Sequence, residues 1–311
     1  MLIGVDVGGT NLRAGVVDQL RVIAEQRIQS DFASLCQDKP PHLAVEAIQA
    51  ALFAALSGML RHYPEVTAIG LGFPGFIVGG HVLQSPNLPG LADVDLARPL
   101  SALLGLPVII ENDALAAAYG EYQLAGRPGE GLIYLGLGTG VGGGLIAGGV
   151  PYPGEHGVAM EVGHILVEEE GRLCGCGNRG CMEQYASASA VAFSYHESTG
   201  RRLDAHQVAL AAEAGDVDAI AAYRLAGDKL AQALAQILKV VDVGHVVIGG
   251  GMSAAWSCLC PAFEQRLAHD LIPALRGKVR ITISQAGDQA GMLGAAMLAA
   301  AVGQHNQLGK S

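Results

Sequence analysis

Residues 161–183, EVGHILVEEEGRLCGCGNRGCME, constrain what this chain can fold into more than any other stretch. Cys174, Cys176 and Cys181 stand as C-x-C-x4-C, and His164 lies ten residues before the first of them. These are four ligands of the kinds zinc takes, close enough in sequence to close one tetrahedral site. Four protein ligands leave no open position for Lewis-acid chemistry, so the pattern predicts a structural zinc that braces a loop. One ring nitrogen of His164 can bind the metal while the other meets a ligand hydroxyl. Glu161 and Glu183 flank the knot, which would hold the two carboxylates at a fixed separation, as the binding of a polar small molecule requires. The run Glu168-Glu169-Glu170 reads as a solvated turn.

Around the knot, apolar runs alternate with helical spacing. Leu2–Val7 and Leu12–Val17 are short strands split by Gly8-Gly9-Thr10-Asn11, a hairpin signal. Leu132–Leu137 and Val141–Ile146 repeat the device around Gly138-Thr139-Gly140. Strands are expected at 68–73, 107–110, 246–248 and 279–284. Helices are expected at 42–60, with Leu43, Ile48, Leu52, Leu56 and Met59 as the buried stripe, at 113–124, at 218–240 and at 288–302. Asn112 or Asp113 would cap the second of these helices. The polar tail 303–311 is expected to fray. At 311 residues the chain suits two domains. The expected division is 1–114 plus 291–311 as a small domain, and 115–290 as a larger one carrying the zinc site.

Two glycine hairpins in one chain point past plain turns. Glycine lets the backbone turn tightly and aim N–H groups at an anion, and the Thr and Asn side chains add donors. Asp6, at a strand end, is placed to hold Mg²⁺ or its water shell. Gly249-Gly250-Gly251 after a strand would let a nucleotide lie against backbone at a helix start. No Walker A lysine pattern occurs, which excludes a P-loop NTPase. Glu111-Asn112-Asp113 places an acid at a strand–helix junction. Transfer of a phosphoryl group to a hydroxyl needs such a carboxylate to orient the hydroxyl and accept its proton.

The formal net charge of −10 argues against a nucleic-acid footprint. It also requires any anionic ligand to be held by backbone amides and metal rather than by a basic patch. The start MLIGVDVGGT has neither a basic leader nor a long apolar core, so no signal peptide is expected. The longest greasy stretch, 291–302, is too short to span a bilayer. Six cysteines, three of them clustered, fit metal chemistry in a reducing compartment, hence the cytoplasm.

Taken together the chain resembles the ROK family of bacterial sugar kinases and sugar-responsive repressors. The resemblance is carried by DVGGTNLRAGVV at 6–17, GFPGFI at 72–77, SPNLPG at 85–90, ENDALAAAYGE at 111–121, LGTGVGGGLI at 137–146, EVGHI at 161–165, CGCGNRGCME at 174–183 and IGGG at 248–251. It implies an α/β, actin-like ATPase (ribonuclease-H-like) fold, with two domains around a central cleft. It implies ATP-dependent phosphorylation of a hexose, with glucose first and its 6-hydroxyl as acceptor. Fructose, mannose, allose and an N-acetylhexosamine are the alternatives, as is a sugar sensor without turnover. Asp113 would be the catalytic base. Gly75, Asn87, Asn112, Glu161, His164 and Glu183 would contact the sugar. Gly9, Thr10, Asn11, Gly138, Thr139 and Gly140 would hold the phosphates, Asp6 would sit near Mg²⁺, and Gly250 and Gly251 would meet the nucleotide. His164, Cys174, Cys176 and Cys181 would bind zinc. Homodimers or homotetramers are implied. With a phosphate loop starting at residue 6, the winged helix-turn-helix of the repressor branch is not expected. One departure is visible: Lys239-Val240-Val241-Asp242-Val243 replaces the Asn and Asp-Pro pair that family members often carry before the last glycine run.

Overall fold

The computed structural model describes residues 1–308 except 9–10, 30, 37–38, 87, 89–90 and 128, with side chains described through residue 301. Packing divides the chain into two units. One comprises Met1–Gly131, Gly144–Ala159 and Asp288–Ser311; the other comprises Leu132–Gly143 and Met160–Gly287.

In the first unit the strands are β1 (Leu2–Val7), β2 (Asn11–Asp18), β3 (Arg21–Gln29), β4 (Ala68–Phe73), β5 (Phe76–Val78), β6 (His81–Gln84), β7 (Ala92–Asp95) and β8 (Val108–Asn112). The helices are α1 (Phe32–Cys36), α2 (Pro41–His62), α3 (Ala97–Leu104) and α4 (Asp113–Leu124). The main sheet runs β3-β2-β1-β4-β8, and β5-β6-β7 form a small antiparallel sheet. Strand alternation sorts the two faces of the main sheet. Ile3, Val5, Val7, Ile69, Leu71 and Phe73 point into a core shared with α2 and α3. The stripe of α2 in that core is Ala44, Ile48, Leu52, Leu56 and Met59; Leu43, expected within it, is exposed. By length and composition α2, rather than 291–302, is the helix among the described residues that could cross a membrane.

The other face of this sheet is built for close approach. Gly15, Gly4 and Gly70 lie side by side across β2, β1 and β4. The helix that ends the chain, Ala290–Leu308, lies on this stripe. A Cβ on Gly4 would stand 1.8 Å from the Met292 carbonyl oxygen, and one on Gly70 1.8 Å from that of Ala295. The same helix meets α4 where Gly120 and Gly294 touch backbone to backbone. It continues through Leu308, past Val302 where the sequence pattern ended it.

The second sheet runs β11-β10-β9-β12-β13, from β9 (Gly131–Leu137), β10 (Val141–Ala147), β11 (Val150–Pro151), β12 (His245–Gly249) and β13 (Arg280–Ile283). The two sheets share one order, third-second-first-fourth-fifth, with a glycine hairpin between the first two strands of each. The helices of the second unit are α5 (Glu183–Ala186), α6 (Ala188–Thr199), α7 (Ala205–Glu213), α8 (Val217–Val241) and α9 (Trp256–Asp270), which makes the terminal helix α10. Helices α8 and α9 cross closely at Gly227, where a Cβ would come within 2.3 Å of the Leu259 carbonyl oxygen.

Candidate active site and metal centre

In the first unit, β8 delivers Asn112 and Asp113 to the start of α4. Asn112 has extended backbone geometry, and its Oδ1 accepts from Leu115 N at 2.9 Å, an N-cap. Its Nδ2 donates to the Gly75 carbonyl oxygen at 3.0 Å. Asn112 therefore ties the turn after β4 to the head of α4. Gly75 has φ +153°, and a Cβ there would lie 2.7 Å from the Gln84 carbonyl oxygen, so only glycine fits. Asp113 occupies the first turn of α4, where the helix dipole favours an anion, and its Oδ1 accepts from Ala114 N at 2.8 Å.

One row across the sheet reads Arg13, Asp6, Gly72, Glu111 by register. Burial pushes the Asp6 carboxyl up; Arg13 beside it opposes the shift and Asp288 adds to it. Arg13 donates from Nη1 to the Asp288 carbonyl oxygen at 2.7 Å, and from Nη2 and Nε to Glu25 Oε1 at 2.9 and 3.1 Å. Burial pushes Glu111 up to about 7, against one hydrogen bond from Asn112 N. Neither Arg13 nor Glu111 is among the site residues the sequence suggested, although Glu111 belongs to the acid motif before α4. Arg13, an isolated cation in a glycine-bearing strand, was the available signal. At the hairpin itself Gly8 N donates to the Asn11 carbonyl oxygen at 2.8 Å. Gly9, Thr10 and Asn87 lie outside the described residues.

In the second unit the four expected metal ligands come together. The ligand atoms of His164, Cys174, Cys176 and Cys181 all lie within 4.8 Å of one another, the one such group among the described residues. Cys174 Sγ lies 3.6 Å from His164 Nδ1, and Cys176 Sγ 3.6 Å from Cys181 Sγ. Zinc bonds of about 2.3 Å to sulfur and 2.1 Å to nitrogen give tetrahedral edges of about 3.6–3.8 Å, so these pairs fit a zinc ion. Burial and the neighbouring thiols push Cys181 up to about 12, while the Asn178 amide pulls Cys176 down. Two short β-bridges, Leu166 with Cys181 and Leu173 with Arg179, fold the knot. Arg172 braces it between the rings of Tyr185 and Phe193, at 4.9 and 4.7 Å from their centroids.

Since Nδ1 of His164 faces the thiol, Nε2 is the nitrogen turned toward Glu161, 3.8 Å from its Oε2. Burial raises the Glu161 carboxyl, His164 lowers it, and Glu183 raises it further. Glu183 Oε2 accepts from Val141 N at 2.9 Å. The glycines that follow divide in two. A Cβ on Gly140 would fall 2.4 Å from Glu183 Oε2, and one on Gly143 2.6 Å from the Met160 carbonyl oxygen. Gly249 packs against the Tyr134 ring and Gly250 against the Leu137 backbone. Gly138 and Gly251 face open space.

A family model described as the ROK family matches residues 2–302. A glucokinase of Streptomyces coelicolor is 32% identical, over 96% of this chain and 97% of its own length. An N-acetyl-D-glucosamine kinase of Salmonella heidelberg is also 32% identical, over 96% of this chain and 99% of its own. Among solved structures, a ROK family glucokinase from Streptomyces griseus in complex with glucose and AMPPNP superposes with a TM-score of 0.81. It is 32% identical, with 96% of this chain and 99% of that one covered.

Proposed function

The chain belongs to the ROK family, and from that premise we propose that it is an ATP-dependent hexose kinase that phosphorylates glucose at the 6-hydroxyl. The observation that carries this reading is the full-length likeness to glucokinases, including one solved in complex with glucose and AMPPNP. The fold is the mixed α/β, actin-like ATPase fold of those sugar kinases.

In this reading the sugar 6-hydroxyl gives its proton to the Asp113 carboxylate as its oxygen attacks the γ-phosphorus, and the bond from that phosphorus to the bridging oxygen of ADP breaks. Little covalent work falls to the protein, so placement and charge stabilisation dominate. Asn112 supplies placement: its amide locks Gly75 to the start of α4, which fixes where Asp113 stands. Glu161 and His164 accept and donate to sugar hydroxyls through the atoms not used at the metal. Backbone amides around Asn11 and in the Gly138–Gly140 turn would stabilise charge on the phosphates, and Asp6 would hold the Mg²⁺ that accompanies ATP, which would supply further charge stabilisation. A zinc ion, held by His164 Nδ1 and the three thiolates, would supply folding energy to the 161–183 segment. The enzyme is assigned to the cytoplasm, as a homodimer or homotetramer.

Coupled measurement of ADP release over a panel of glucose, mannose, fructose, allose and N-acetylglucosamine tests the reading. Glucose should give the highest kcat/KM. Asp113→Asn should lower kcat about 10²- to 10⁴-fold, with glucose binding by calorimetry retained. Full activity in that variant would remove Asp113 as the base. The N-acetylglucosamine kinase relative, equally identical to this chain, favours an N-acetylhexosamine as the second reading, and the same panel separates the two.

A further inference from the structure

Glu183 is expected, from the family resemblance, to touch the sugar. Its carboxylate does something else as well. Oε2 accepts the amide hydrogen of Val141, a residue only 8% exposed. The contact is so close that Gly140 has no room for a Cβ, which would sit 2.4 Å from that oxygen. The same short turn is held at its other end, where Ala188 N at the start of α6 donates to the Gly138 carbonyl oxygen at 2.9 Å. Gly138 N in turn donates to the Gly140 carbonyl oxygen at 2.9 Å, which closes the hairpin. A third contact comes from the histidine side of the knot: a Cβ on Gly163, next to His164, would meet the Val141 carbonyl oxygen at 2.5 Å. Three contacts on the turn thus come from the segment 163–188, and Glu183 follows the buried thiol Cys181 by two residues.

We propose that Glu183 is a positioning residue for the nucleotide: its carboxylate fixes the Gly138–Val141 turn through the Val141 amide, and so hangs that turn on the metal knot. The proposal deepens the kinase reading and rests on it, since it takes the turn to face ATP phosphates. The knot is then more than a brace for sugar ligands. Loosening it releases the backbone amides on the nucleotide side. A buried N–H stripped of a charged acceptor must find water or stay unpaired, and either outcome distorts the turn.

The test is equilibrium binding of a non-hydrolysable ATP analogue with Mg²⁺ and no sugar, beside glucose binding with no nucleotide, on the wild-type enzyme, Glu183→Ala and Glu183→Gln. Glu183→Ala should weaken the analogue by about 10- to 100-fold. Glu183→Gln keeps a carbonyl oxygen for the Val141 amide and should recover analogue affinity to within a few fold of wild type. Unchanged analogue affinity in Glu183→Ala overturns the proposal and leaves Glu183 a sugar ligand alone. Equal loss in both variants overturns the hydrogen-bond assignment. A wild-type enzyme that binds no analogue sinks the kinase reading itself, a different result from either. Amide exchange in the wild type keeps the question open to refutation should Glu183→Ala not fold. Chelation should speed exchange in peptides covering 138–144 together with those covering 174–183. Faster exchange confined to 174–183 overturns the coupling.

Discussion

Gly58 of α2 and Gly294 of α10 sit inside helices for opposite reasons, and replacing each by alanine should move stability in opposite directions. Gly294 of α10 faces α4. A Cβ there would stand 1.7 Å from the Ala116 carbonyl oxygen, 2.6 Å from the Ala116 carbonyl carbon and 2.8 Å from Gly120 N. These are backbone atoms of a packed helix, and no side chain can rotate away. Real contacts of this kind begin near 3.0 Å, so the helices must separate by more than the width of the existing overlap. Separation also lifts α10 from the glycine bed of β1 and β4, where Met292 and Ala295 touch strand backbone. Overpacking of a well-filled core costs about 1–3 kcal/mol, and a clash between main chains belongs at or beyond the top of that range. Alanine in place of glycine in a helix returns about 1 kcal/mol. The net for Gly294→Ala is therefore a loss of about 2 kcal/mol or more. Gly58 of α2 is the control. Its nearest neighbour in the direction of a Cβ is Arg61 Nη2 at 4.0 Å, so Gly58→Ala should gain about 0.5–1 kcal/mol. Urea unfolding of both variants, followed by far-UV circular dichroism, reads the two signs from the midpoints. A Gly294→Ala midpoint at or above wild type would refute the packing argument, because helix propensity alone would then have decided the outcome.

Two further outcomes follow from the charged and metal-binding groups. Burial raises the folded-state pKa of Glu111 to about 7 from 4.5, so the folded protein keeps a proton that the unfolded chain releases. This group's contribution to stability therefore falls as pH rises from 4.5 to 7 and is level above that. The full shift corresponds to about 3 kcal/mol, and partial exposure reduces it to about 1–2 kcal/mol. Glu111→Gln should accordingly gain stability over wild type at pH 8 and little at pH 5; an equal difference at both values would remove burial as the cause. At the knot, elemental analysis of the purified enzyme should find one zinc per chain, and Cys181→Ser should abolish it and lower the thermal midpoint. A metal-free wild type, or a serine variant as stable as wild type, would mean that the four side chains gather for another reason.

Much of this was legible because the relevant signals are local. The Cys3His spacing placed four ligands that the fold does bring together. A cap at Asn112 or Asp113 followed from these residues standing before an apolar-periodic run, and Asn112 is the one that caps. What stayed hidden depends on distant partners. Strand β3 has a largely exposed pattern because it is an edge strand, so it lacks the apolar alternation that marked β1 and β4. The strands of the β5-β6-β7 sheet are three or four residues long, too short to show a period. Leu43 looked like a core residue by type, yet Ala44 takes the buried position, because the face of α2 is set by the sheet beneath it. The perturbation of Glu111 depends on the layers packed around it, which no spacing reveals.

The glycine runs show most sharply how far sequence reaches. A phosphate cradle and a close backbone crossing both need a residue without a Cβ, so GTGVGGG and IGGG are equally good evidence for either. Position by position the ambiguity disappears. Gly140 makes room for the Glu183 carboxylate, Gly143 for Met160, and Gly144 for α4. Gly249 accommodates the Tyr134 ring and Gly250 the Leu137 backbone. Gly138 and Gly251 border open space where a ligand atom could approach. The same accounting explains how two sheets of identical strand order came to differ. In the first, the glycine notch is filled by α10, whose backbone lies over β1 and β4 and whose Met292 side chain lies over β2. In the second, the notch at Gly136 and Gly249 is filled by a tyrosine ring that β9 itself supplies. The first sheet thus gives its notch to a helix that also grips α4, whose first residue is the acid proposed as base. In the second, the supports of the glycine turn come from the segment around the cysteine knot. If that division is right, substitutions at Gly4, Gly70 or Gly294 should damage the acid end of the reaction, whereas those at Glu183 or the thiols should damage nucleotide binding.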